Sequence, residues 1–230
     1  MNLILIALAP VFIIAIYIYH RDKFEKEPIK LLILALFLGC LTPIPVIYVE
    51  EFLSNFHWHF SLIDAKISKA FYNAFIVAAC TEEFFKFLVL FLLIWNNKNF
   101  NEKFDGIVYA VFISLGFAAI ENIMYVFSYG HQTGYIRALV SVPGHALFGV
   151  TMGFYFGLAK FYTKQRKNLL LKALFFPIVL HGIFDFILML GNARVMVIFL
   201  PFVIYLYIDG LRKVKNLSDR SIFRRKKSTG

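Results

Sequence analysis

The sequence predicts an all-α, multi-pass transmembrane bundle of about seven helices, with its N-terminus outside the cell and its C-terminus in the cytoplasm. Three observations carry that expectation. Hydrophobic residues make up 60% of the 230-residue chain and mean hydropathy is +0.71, more than the surface of a soluble domain tolerates. Apolar runs recur along the whole chain, most of them near the roughly 17 to 25 residues that cross a bilayer. Lys and Arg alternate between loops, with 19 of 24 in one set of loops and the tail, 4 in the other, and Lys86 inside a run. Basic loops stay in the cytoplasm, which sets the orientation.

Leu3 to Tyr19 is the first run. No basic residue precedes it and no small-residue cleavage pattern follows it, so it reads as a retained helix and not as a signal peptide. Leu31 to Val49 is the second. The next polar stretch, Glu50 to Lys69, is the longest between runs at 20 residues, too short for an inserted soluble domain. Ala70 to Trp95, Gly106 to Phe127, Ala138 to Tyr162 and Leu169 to Leu190 supply four further spans, and Val195 to Ile208, at 14 residues, is short for a full crossing. Residues 1–209 therefore form one transmembrane domain, and 210–230 a basic cytoplasmic tail. The tail has no zinc-finger spacing and one aromatic residue, Phe223, so anionic lipid is its expected partner and nucleic acid is not. Cys40 and Cys80 lie in apolar runs and read as small core residues outside any disulfide framework.

Ionisable groups inside these runs are expensive to keep there and point to function. Glu82 and Glu83 sit together among phenylalanines, Glu121 lies in the fourth run, and His145 and His181 lie in the fifth and sixth. At about 1.5 Å per residue, Glu82, Glu121, His145, His181 and Asp185 all fall roughly 8 to 18 Å below the outer boundary, so they can meet. His145 heads a stripe with Gly149, Gly153 and Gly157 at every fourth residue, the spacing of a close helix contact. His181 and Asp185 are four apart, which lets the carboxylate hold the imidazole or share a ligand with it. Lys86, four residues from Glu82 and three from Glu83, offsets their charge. Pro143 and Gly144 are a potential break, with a helix starting at Pro143. Structural readings stand beside these: Glu121 with Asn122 as an interhelical clamp, Asp105 with Gly106 as a helix cap, and Arg137 and Arg194 as outer-face anchors.

These residues also form ordered motifs. Glu82-Glu83-Phe84-Phe85-Lys86 resembles the E-E-x-x-K motif of the PrsW family of bacterial intramembrane proteases. Phe104-Asp105-Gly106 with Tyr109, then Gly116-Phe117-Ala118 and Glu121-Asn122, is similar to that family's long second motif. His145 with Gly149, and His181 with Asp185, resemble its last two. The match covers roughly Ala70 to Leu190, the expected catalytic core at about 70–190. The resemblance implies a multi-pass peptidase of the bacterial inner membrane that cuts membrane-anchored proteins, anti-sigma factors among them. It also implies distant kinship with the CAAX prenyl protease and bacteriocin-processing families. By this similarity Glu82, Glu83, His145 and His181 are the expected catalytic residues, with Glu121, Asn122, Asp185 and Lys86 in support.

Peptide hydrolysis needs a water, a base, an oxyanion partner and an acid for the leaving amine. Ser114, Ser141 and Cys80 have no evident base in sequence, so direct attack by water is expected, with Glu82 as base and Glu83 orienting it. Two readings of the histidines stay open. They donate to the oxyanion, or they bind Zn2+, with His145, His181 and Glu121 as ligands. The H-E-x-x-H spacing of familiar zinc peptidases is absent. Two other functions also fit a buried Glu/His/Asp cluster: a proton- or ion-coupled transporter, and an inactive scaffold that binds a substrate helix.

Overall fold

A computed structural model describes residues 3–56 and 65–224 of the chain, and within them the only regular structure is helical. The middle of the Glu50 to Lys69 stretch and the end of the basic tail, Arg225 to Lys227, lie outside the described residues.

Helix α1 (Leu3–Arg21) is followed by α2 (Ile29–Leu41) and α3 (Pro43–Ser54), which divide the second apolar run. The division falls at Thr42, because Pro43 has no N–H to donate back into the turn before it. Thr42 instead donates its hydroxyl to the Gly39 carbonyl at 2.6 Å. The third run is helical from Ala65 to Ile94 but changes pitch twice: α4 (Ala65–Phe71), a π-helical segment (Tyr72–Cys80) and α5 (Thr81–Ile94). After these come α6 (Lys103–Tyr129), the short α7 (His131–Leu139), α8 (Ser141–Phe161), α9 (Arg166–Leu190) and α10 (Ala193–Asp219).

Six helical stretches of the described residues are long and apolar enough to cross a membrane, and the third run's three abutting helical pieces form another long apolar stretch. The last run, expected to be short, belongs to a 27-residue helix, because α10 continues through Asp209 to Asp219 in its basic end. Pro143 does not start α8. The helix begins two residues earlier at Ser141, and proline is tolerated there because first-turn amides have no intrahelical partner.

Helix α6 is the axis of the bundle. Every residue from Phe104 to Ala119 is buried, which a helix achieves only with neighbours on all sides. The glycine stripe of α8 packs directly on it. A Cβ on Gly153 would fall on the Gly106 carbonyl, and one on Gly157 on the Lys103 carbonyl, so only glycine lets the two backbones come this close. Large apolar side chains on the outside, such as Ile13, Leu92 and Val197, face outward as lipid-contacting residues do. Cys80 belongs to this outer surface and not to the core, while Cys40 is half-buried, and both are free thiols.

The basic segments gather at one end of the bundle. Arg21 pairs with Asp219 at 3.1 Å, Asn101 donates to Glu25 at 3.0 Å, and Lys103 donates to Tyr162 at 2.9 Å. This is the arrangement expected of loops on one side of a membrane.

Candidate active site

The π-helical segment ends immediately before Thr81, Glu82 and Glu83. Wide turns of this kind alter the facing of the residues that follow and recur at functional sites. Here both carboxylates point into the bundle: Glu82 is 7% exposed and Glu83 fully buried.

Lys86 lies among them. Its Nζ donates to Glu82 Oε2 at 3.0 Å and to Glu83 Oε1 at 2.8 Å, and is 3.2 Å from His145 Nδ1. It also sits 4.0 Å from the centroid of the Phe117 ring. A buried ammonium survives only with such partners.

Each histidine is held from behind by a carboxylate. His145 Nε2 is 2.7 Å from Glu121 Oε2, and His181 Nε2 is 3.3 Å from Asp185 Oδ2. The Nδ1 of each ring turns inward, that of His181 to Glu83 Oε1 at 3.0 Å. The two rings meet edge to face with centroids 5.3 Å apart, and Phe148 stacks on His181 at 4.8 Å. A carboxylate on the outer nitrogen fixes the ring and leaves the inner nitrogen for a ligand or substrate.

Glu82, Glu83, His145 and His181 each offer one ligand atom, all within 4.8 Å of one another, and all four residues are buried. Oε2 of Glu83 is buried without a hydrogen-bond partner. Two imidazoles and two carboxylates are a donor set that suits zinc, so the residues present fit a divalent metal. The Lys86 ammonium and a metal would balance the same carboxylates.

A cavity of about 760 Å³ opens beside this cluster, with Glu82, Glu121, His145, His181 and Asp185 in its wall. Glu83 and Lys86 stand behind the wall. The long second motif reaches both ends of α6: Glu121 and Asn122 serve the cavity end, and Asp105 caps the other by accepting from the amides of Asn101 and Glu102 at 2.9 and 2.7 Å.

Residues 27–208 match the family described as PrsW family intramembrane metalloprotease. The chain belongs to that family. It is 38% identical to Protease PrsW of Oceanobacillus iheyensis over 94% of this chain and 95% of the relative. It is 36% identical to Protease PrsW of Clostridioides difficile, over 97% and 95%, and 34% identical to that of Bacillus subtilis, over 90% and 92%. No solved structure matches it. As a PrsW-family chain it is a multi-pass membrane peptidase of a metalloprotease family, which favours the enzyme over the transporter and the scaffold.

Two residues of this PrsW-family site escaped the sequence reading. Arg137, expected as an outer-face anchor, instead reaches inward from α7: its guanidinium lies 2.8 Å from Glu121 Oε2 and donates to Asn122 Oδ1 at 3.0 Å. Nothing in its spacing signals this, since an arginine near a helix end is ordinary. Glu50, assigned to a polar loop, lies on α3 and lines the cavity. Its signal was present: Pro43, Val46, Ile47, Glu50 and Ser54 recur at helical spacing, and all five line the cavity. Asn122 is the clamp that one reading expected, donating to the Ala7 carbonyl of α1 at 2.8 Å while accepting from Arg137. Arg194 sits at the start of α10, its amide capped by Asn192.

Proposed function

We propose that this peptidase hydrolyses membrane-anchored protein substrates with water activated by Glu82, in the bacterial cell membrane, with anti-sigma-factor-like proteins as the substrate class. The observation that carries this reading is the convergence of Glu82, Glu83, His145 and His181 within 4.8 Å beside a cavity of about 760 Å³.

Glu82 is the carboxylate of the pair that meets the cavity, so it takes the water's proton and later returns it to the leaving amine. Lys86 pins it from behind. Glu83 joins Lys86 to His181. His145 and His181 present their inner nitrogens to the same place, with their outer nitrogens held by Glu121 and Asp185. For a bound metal we propose His145, His181 and Glu83 as ligands. Glu121, the third ligand expected from sequence, is committed to His145 Nε2 and Arg137 on the outer side of the ring. Zinc, when bound, would supply Lewis acidity at the water and the scissile carbonyl.

The reading is tested by cleavage of a single-span membrane substrate in liposomes. Wild type cuts, whereas Glu82→Gln and His181→Ala lose cleavage by roughly 10²-fold or more while remaining inserted and folded. A chelator abolishes cleavage if a metal is used. Variants that cut as fast as wild type would falsify the assignment.

A further inference from the structure

A second cluster of carboxylates lies at the far end of α6 from the catalytic cavity. Asp105 and Glu121 are 16 residues apart on one helix, about 24 Å at 1.5 Å per residue. The α1–α2 connection brings Asp22, Glu25 and Glu27 to this end, where they meet Asn101 and Asp105.

Each of the four carboxylates uses one oxygen and leaves the other unused. Asp22 Oδ2 accepts from the Glu27 amide at 3.1 Å, and Glu25 Oε1 from Asn101 Nδ2 at 3.0 Å. Glu27 Oε2 accepts from the Tyr109 hydroxyl, and Asp105 Oδ2 from two amides. The remaining oxygens, Asp22 Oδ1, Glu25 Oε2, Glu27 Oε1, Asn101 Oδ1 and Asp105 Oδ1, are buried and unpartnered. They are five of the eight such side-chain atoms among the described residues, so the deficit is local. Asp22, Glu27 and Asp105 are 1%, 2% and 0% exposed.

None of these five oxygens accepts a hydrogen bond from a lysine or arginine. Such oxygens call for a positive partner. One oxygen from each of Glu25, Glu27 and Asp105 lies within 4.8 Å of the other two. Three carboxylates and an amide carbonyl suit calcium, which is caged by protein carboxylates and carbonyls, better than magnesium, which keeps several waters and is held through one or two carboxylates. A set of oxygens without nitrogen or sulfur selects hard cations over zinc.

We propose that Glu25, Glu27 and Asp105, with the Asn101 carbonyl oxygen, form a binding site for a calcium-sized divalent cation that fastens the α1–α2 connection to the start of α6. It is separate from the catalytic cluster in both place and donor type. Tyr109, bonded to Glu27, is a built-in reporter, because a tyrosine beside such a site sensitises bound terbium.

The test uses the full chain in detergent micelles, stripped with chelator and titrated with CaCl2, MgCl2 or TbCl3. Calcium raises the Tm of wild type and of His181→Ala alike, and terbium emission excited through tyrosine appears in both and is displaced by calcium. Glu27→Gln weakens both responses at least tenfold. The proposal is overturned if calcium leaves the wild-type Tm unchanged, if magnesium acts and calcium does not, or if Glu27→Gln responds as wild type does. The wild-type measurement decides the matter even if Asp105→Asn, tried as a second variant, fails to fold.

Discussion

Asp185 lines the cavity and also reaches His181, so its expected role is exerted through the imidazole. It lies one helical turn beyond His181 and holds the outer nitrogen at 3.3 Å, while Glu83 meets the inner nitrogen at 3.0 Å. Removing its charge leaves the ring in place but loosens its orientation. We expect Asp185→Asn to lower kcat by roughly 10- to 100-fold, the usual cost of losing such a partner, with KM and Tm little changed. A drop in Tm with unchanged kcat per folded molecule would assign Asp185 a structural role instead. The pair was legible at helical spacing, as were Glu82 and Glu83, because a carboxylate inside an apolar run stands out. Arg137 was not, because charge at the end of a run looks like ordinary solvated surface and only packing turns it toward Glu121; Glu50 had a signal in its helical spacing with Pro43, Val46, Ile47 and Ser54, which its place in a polar stretch masked.

At the scale of elements, the contact of α6 with α8 sets the distance between Glu121 and His145. The glycine stripe that heads from His145 allows it, since Gly153 rests on the Gly106 backbone and Gly149 on Ser114. Gly153→Leu would force the helices apart. Overpacking costs typically about 1–3 kcal/mol, and against backbone on both sides we expect the upper end, read as a lowered Tm in micelles together with lost cleavage. An unchanged Tm would mean that the two helices can separate freely. Spacing alone announced this stripe. It did not announce the π-helical segment before Glu82, because YNAFIVAAC contains no proline or glycine to mark a change of pitch. That change reflects the packing of this stretch against α3 and α9, seen in the Tyr72 hydroxyl donating to the Leu53 carbonyl and in Phe75 pressing on Gly182.

For the whole molecule, the basic segments collect at one end and the cavity opens toward the other. The bias of 19 basic residues against 4 predicts that this basic end faces the cytoplasm. A reporter enzyme active only outside the cytoplasm should be inactive when fused after Asp219 and active when inserted near residue 60. The reverse pattern would invert the topology and place the catalytic cavity toward the cytoplasm. The sequence by itself determined that the chain is a membrane bundle, where most of its spans lie, and which buried carboxylates and histidines could meet in one cluster. Hydropathy and helical period are local properties, and a charge in an apolar run is conspicuous without any fold. Only the tertiary structure decided which nitrogen faces which carboxylate, that Lys86 also meets His145, that Arg137 reaches Glu121, and that Glu27 meets Asp105. Those pairings join residues as far as 98 apart in the chain. Their geometry follows from how the helices pack, which no single segment encodes.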